Sequence, residues 1–128
     1  MNTTVITLDV AQALAELREA FPNRVTSEPD DLGGALVTIA GVSMPAGWPL
    51  THSELMFVIP FNFPAIPLYP YYIPAEAAPE GELPNALQRI DWRGAAVLQL
   101  SLRHTAWRPG VDTVLGSVLQ AIDWLRCG

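Results

Sequence analysis

Val10, Leu14, Leu17 and Phe21 recur at intervals of three and four residues, the spacing that lines one face of an α-helix. They predict an amphipathic helix over residues 9–21. Thr7 or Asp9 can cap it by accepting free backbone N–H groups of the first turn, and Pro22 ends it. A second stripe, Val114, Leu115, Val118, Leu119, Ile122 and Leu125, predicts a helix over residues 112–126 with Asp112 as its cap. Between the stripes the period shortens. Runs rich in β-branched and aromatic residues lie around Val25, over residues 35–42 and over residues 54–59, separated by Pro, Gly and Asp, and they read as three strands of a meander. The stretch from Phe61 to Tyr72 carries Pro64, Pro67 and Pro70. Proline fixes φ and lacks an N–H, so a fourth strand here can only be short and interrupted. Residues 75–84 hold three acidic residues, three alanines and two prolines and predict an exposed loop without core-facing periodicity, longer than most connections. Residues 95–102 predict one more buried extended segment, and Trp107-Arg108-Pro109-Gly110 a turn. The expected fold is one α+β domain over residues 1–128: an N-terminal helix, a four-stranded antiparallel meander, an irregular loop and a C-terminal helix.

Composition narrows what such a domain does. Half of the residues are apolar, yet no uninterrupted apolar run approaches the length that spans a bilayer. No basic start leads into an apolar stretch and a small-residue cleavage site, so a cytoplasmic location and no membrane partner are expected. A net charge of −6 repels phosphate backbones and argues against nucleic acid. Cys127 is the only cysteine, and with His52 and His104 the only histidines no structural metal spacing exists. Neither a metal nor another cofactor is expected.

Three motifs resemble the ubiquitin-conjugating-enzyme (UBC-like) fold. Phe63-Pro64-Ala65-Ile66-Pro67 followed by Tyr72 is similar to the family's Tyr-Pro-x-x-Pro-Pro-x-x-x-Phe segment, with Leu68 in place of its second proline. Trp107-Arg108-Pro109 before the last helix resembles the family's Trp-x-Pro turn. Leu83-Pro84-Asn85 resembles a degenerate His-Pro-Asn, whose asparagine stabilises an oxyanion in the family. Pro45-Ala46-Gly47-Trp48 and Ser101-Leu102-Arg103-His104 resemble elements of bacterial members encoded beside an activating enzyme, a ubiquitin-like protein and a peptidase. The likeness covers most of residues 33–125. It departs from the family at the decisive position: counting back from the Trp-x-Pro turn lands near Gln99, which cannot form a thioester, and the only thiol lies at the other end of the last helix. The two helices that follow in full-length members are also absent, which implies a minimal core domain.

The resemblance implies acyl transfer of a ubiquitin-like carboxyl terminus, with a ubiquitin-like protein and its activating enzyme as partners. Such chemistry needs a nucleophile, a base and oxyanion donors. Ser101 is the candidate nucleophile and His104 its base or orienting group, because imidazole alone among these side chains titrates near neutrality. Asn85 is the oxyanion candidate that the resemblance implies. Each also has a structural role open to it: Ser101 and Asn85 as turn residues, His104 as a ligand for a backbone carbonyl. Two readings therefore stand. One is transfer through an oxyester on Ser101. The other is a non-catalytic UBC-like variant that acts as a binding or scaffold module for a ubiquitin-like protein or its conjugation enzymes, with Tyr69, Tyr71 and Tyr72 as the contact patch.

Overall fold

A computed structural model describes residues 6–84, 86–102 and 107–127, Cys127 by its backbone only. The first helix, α1 (Leu8–Ala20), starts where Thr7 Oγ1 accepts the Val10 N–H at 3.2 Å, so Thr7 is the cap and Asp9 lies in the first turn. There the carboxylate faces the positive end of the helix dipole. Val10, Ala13, Leu14 and Leu17 turn inward as the periodicity requires, and Phe21 closes the C-terminus through its N–H to the Leu17 carbonyl.

Three consecutive antiparallel strands follow: β1 (Val25–Pro29), β2 (Ala35–Ser43) and β3 (His52–Ile59). A bulge between Ile39 and Val42 breaks the β2–β3 register. Gly41 stands there at φ 71°, and the Arg24 guanidinium donates to the Ala40 and Gly41 carbonyls at 2.8 and 2.9 Å. The β2–β3 connection contains the Pro45-Ala46-Gly47-Trp48 turn, in which the Trp48 N–H reaches the Pro45 carbonyl.

The proline-rich stretch delivers the short strand that its sequence predicts, β4 (Tyr71–Pro74), which registers with β3 only through Met56 and Tyr72. The extended segment predicted over residues 95–102 forms β6 (Ala95–Leu100), but the sheet has six strands, not four: β5 (Leu87–Trp92) pairs with β6 in a hairpin, and the spatial order is β1-β2-β3-β4-β6-β5. β5 escapes the hydrophobic pattern because an edge strand has to bury little; only Leu87 is fully buried along it. The hairpin closes on Arg93-Gly94, at φ 53° and 81°, the two positive values of a tight turn that matches strand twist. Residues 75–84 also depart from a bare exposed loop. Ala75–Ala77 form a 3-10 turn that buries Ala77, Ala78 is buried beside it, and Arg89 holds the Pro79 carbonyl at 2.7 Å.

Register assigns the two faces. Val37 opposite Phe57, Ile39 opposite Leu55, Tyr71 opposite Leu100 and Ile73 opposite Leu98 point to one side. These residues form one core with α1 and with α2 (Val114–Cys127), and the two helices touch each other on that face. Among the described residues no helix covers the opposite face.

Asp112 does not cap α2. Thr113 does, its Oγ1 accepting the Gly116 N–H at 3.0 Å, while Asp112 is drawn back into the Trp-x-Pro turn by the Arg108 N–H at 2.8 Å and the Arg108 guanidinium at 3.0 Å. Thr113→Ala is therefore expected to cost about 1 kcal/mol in urea unfolding, and Asp112→Ala less; the reverse order contradicts the capping assignment. Among the described residues no helix is long and apolar enough to cross a membrane.

Candidate functional site

The chain leaves β6 at Leu100 and runs directly into Ser101, a half-buried residue whose N–H donates to the Ala86 carbonyl at 2.8 Å. Leu87 opposite Leu100 is the last rung of the β5–β6 ladder, and the Ser101–Ala86 bond extends it by one residue. Pro84 accepts the Leu87 N–H at 2.9 Å. The segments flanking Asn85 and the start of the Ser-Leu-Arg-His element are thus neighbours across 15 residues of sequence. Asn85 and His104 themselves lie outside the described residues. So do Arg103, Thr105 and Ala106.

Trp107 anchors the other wall of this region. Its indole N–H donates to the Pro64 carbonyl at 2.8 Å, and its ring stands 6.1 Å from that of Phe63, tilted by 56°. The Phe63-Pro64 segment and the Trp-x-Pro turn, two of the motifs distinguished in the sequence, are therefore in direct contact. Replacing Trp107 by Phe keeps most of the apolar contact and leaves the Pro64 carbonyl without this donor. A loss of about 1 to 2 kcal/mol is expected in chemical denaturation, and a loss below about 0.3 kcal/mol would mean water replaces the bond at no cost.

Gln99, where the family spacing places a cysteine, lies inside β6, paired with Tyr72 on one side and Gln88 on the other. A side chain paired on both sides is held to the sheet face, whereas Ser101 follows Leu100, the last residue of the strand.

The tyrosine contact patch is not formed. Tyr71 is fully buried, its hydroxyl donating to the Ser117 carbonyl at 3.3 Å and its ring edge-on to Phe57 at 6.0 Å. Tyr72 is half-buried beneath Trp92, the rings stacked 3.9 Å apart and 9° from parallel. Burial pushes both phenols above their ordinary value of 10.0. Only Tyr69 of the three reaches solvent substantially. Exposed apolar side chains gather elsewhere. Leu8 and Leu32 are 73% exposed and Phe61 54%. Thr7 donates its N–H to the Gly33 carbonyl, and Phe61 Cβ lies 3.0 Å from where a Gly33 Cβ would stand, so the three belong to one end of the molecule.

A second feature has no counterpart in the sequence pattern. On the helix-free side the sheet forms a hollow of about 340 Å³, lined by Leu36, Met56, Pro74, Trp92 and residues 95–97, with Glu54 and Glu76 among its charged residues. Alternation in β2, β3 and β6 points Leu36, Met56 and Val97 outward, but an apolar residue on that face looks like core in a one-dimensional pattern. Among the described residues no group of three His, Cys, Asp or Glu side chains is arranged to hold a metal ion.

No known protein family, curated protein or solved structure matches the chain.

Proposed function

We propose that the chain is a ubiquitin-conjugating-enzyme-like domain that works without a catalytic cysteine: it receives the carboxyl terminus of a ubiquitin-like protein from an activating enzyme as an oxyester on Ser101, for passage to a target amine. The observation that carries this reading is the Ser101 N–H bond to Ala86, because it holds Ser101, the first residue of the Ser-Leu-Arg-His element, beside a flank of the Leu83-Pro84-Asn85 motif. In the transfer, Ser101 Oγ attacks the acyl carbon activated on the partner enzyme. A C–O bond forms, the bond to the activating enzyme breaks, and that enzyme's leaving group departs with its electron pair. His104 takes the serine proton, and Asn85 donates to the oxyanion. Attack by the target amine then forms the amide C–N bond as the ester C–O bond breaks, and the proton that the amine nitrogen loses passes to the departing Ser101 oxygen.

Two further features support it. The Trp107–Pro64 bond joins the two motifs most similar to the conjugating-enzyme family. All seven basic residues are arginines, and the sequence contains no lysine. An acyl group held on Ser101 thus meets no lysine amine on its own carrier that could trap it as an amide.

The second reading, a binding or scaffold module, is favoured by the exposed Leu8, Leu32 and Phe61 end, which suits contact with a ubiquitin-like protein or a conjugation enzyme. Affinity capture from the native host, read by mass spectrometry, tests the partners common to both readings. An activating enzyme and a ubiquitin-like protein are expected; nucleic acid or lipid with neither protein contradicts both.

A further inference from the structure

The helix-free face of an antiparallel sheet is ordinarily polar, because alternation sends polar residues to the solvent side. Here that holds for the β1 margin and for Glu54, Gln88 and Gln99, while the rest of the face is mainly apolar. Register places Thr26 and Glu28 of β1 on this face with Leu36 and Thr38 of β2. Beyond them the same face carries Met56 and Val58 of β3, Tyr72 and Pro74 of β4, Val97 of β6, and Ile90 and Trp92 of β5. Val97 is 2% exposed and yet stands apart from the helix-covered core. Tyr72 backs the Trp92 ring and fixes its orientation.

The sheet also curls around this face. β1 and β5 are its opposite edges, but Arg93 in the β5–β6 turn lies 3.4 Å from Glu28 of β1. Edges of a flat six-stranded sheet stand about 24 Å apart at the usual strand spacing, so the ion pair marks a cup. The hollow inside it has a size found for small-molecule sites. Its charged lining residues are Glu54, Glu76 and Arg93. Arg93 is engaged by Glu28 and also stands 5.9 Å over the Trp92 ring, whereas Glu54 and Glu76 form no ion pair with any described residue. An anion entering the hollow meets two exposed carboxylates, and a neutral apolar molecule finds no partner in them. A cation satisfies them.

We infer that this hollow is a binding site for a small organic cation, an ammonium or guanidinium group on a compact apolar body, with the body on Met56, Pro74 and Trp92 and the charge toward Glu54 and Glu76. The site is separate from Ser101: residues 95–97 lie four to six residues from it, roughly 13 to 20 Å along an extended strand. Its test needs neither an activating enzyme nor a ubiquitin-like protein, so it stands or fails apart from the acyl-transfer reading.

The experiment titrates the isotopically labelled chain with 2-phenylethylammonium, neutral 2-phenylethanol and anionic 3-phenylpropionate at low salt, and follows backbone and indole N–H resonances. The cation is expected to shift Met56, the amides of residues 95–97 and the Trp92 indole, and to bind about fivefold tighter than the alcohol, with the anion weakest. The double variant Glu54→Gln, Glu76→Gln, its spectrum otherwise preserved, should bring cation and alcohol to equal affinity. Trp92→Leu should weaken both. Equal binding of the three probes to the native chain overturns the inference, as does preference for the anion, shifts centred outside the hollow, or no shift up to about 10 mM, where even a millimolar site would be mostly filled.

Discussion

Gly34→Ala is expected to be the most destabilising glycine-to-alanine change among the described residues, costing more than about 3 kcal/mol. Gly34 ends the β1–β2 loop, just before Ala35 pairs with Ile59. The loop is pulled tight by Asp30, whose Oδ1 accepts both the Leu32 and the Gly34 N–H at 2.9 Å. A Cβ on residue 34 would collide with the Ile59 backbone carbonyl, and it would also lie 2.8 Å from Asp30 Oδ2 and 3.0 Å from the Phe61 N. Two of these three atoms are backbone of β3 and the segment after it, so relief requires shifting a central strand. Gly47→Ala provides the comparison. Gly47 has φ 87° but nothing within 4 Å of where its Cβ would stand, so it carries only the left-handed backbone cost of about 1 to 2 kcal/mol. Denaturant midpoints should fall further for Gly34→Ala than for Gly47→Ala; the opposite order refutes the close-approach argument.

Tyr71→Ala is expected to cost about 3 to 5 kcal/mol, the range for emptying a large aromatic site in a core. The ring is fully buried between strand and helix, edge-on to Phe57. Tyr71→Phe removes only the hydroxyl and its bond to the Ser117 carbonyl, about 1 kcal/mol at neutral pH. The same variant changes the alkaline limit. Burial holds the Tyr71 phenol protonated in the fold well above 10.0, the value it regains on unfolding. The stability tied to the neutral phenol is thus intact below pH 10 and is lost as pH rises toward the folded value, by about 1.4 kcal/mol per unit. With no lysine in the sequence, few other side chains titrate in that range. Tyr72, raised in the same direction by its partial burial, is present in both proteins. Stability from pH 9.5 to 11.5 should therefore fall more steeply in the native chain than in Tyr71→Phe. Parallel curves contradict the assignment.

Both helices are legible in the sequence because each has a single apolar stripe, and one face suffices against a sheet. The first three strands are legible because Val37, Ile39, Leu55, Phe57 and Ile59 alternate with residues on the other face. β5 is not, because Gln88, Arg89 and Asp91 belong to an exposed edge, although Trp92-Arg93-Gly94-Ala95 holds a hairpin turn in plain view. Asp112 and Thr113 are both competent caps, and only the Arg108 bonds decide between them. Neighbouring prolines suggest a surface position for the tyrosines, but β4 alternates, so Tyr71 and Tyr72 face opposite sides of the sheet. At the candidate site, Ser101 and the motif around Asn85 stand out in the sequence; their proximity follows from a hairpin that the hydrophobic pattern does not reveal. The hollow is beyond reach of any local pattern, since it depends on a curl that brings Glu28 to Arg93.

The central proposal is that Ser101 is an acyl acceptor. The direct measurement incubates the chain with the activating enzyme, ATP and the ubiquitin-like protein, then resolves adducts on gels with and without thiol reductant and with and without mild alkali. An oxyester survives the reductant and breaks in alkali; a thioester breaks in reductant; an amide resists both. The account predicts a reductant-resistant, alkali-labile adduct that is absent in Ser101→Ala, sharply reduced in His104→Ala and retained in Cys127→Ala. An adduct that depends on Cys127 and dissolves in reductant would contradict it, as would binding of the ubiquitin-like protein with no adduct at all, which would leave the chain as a binding module.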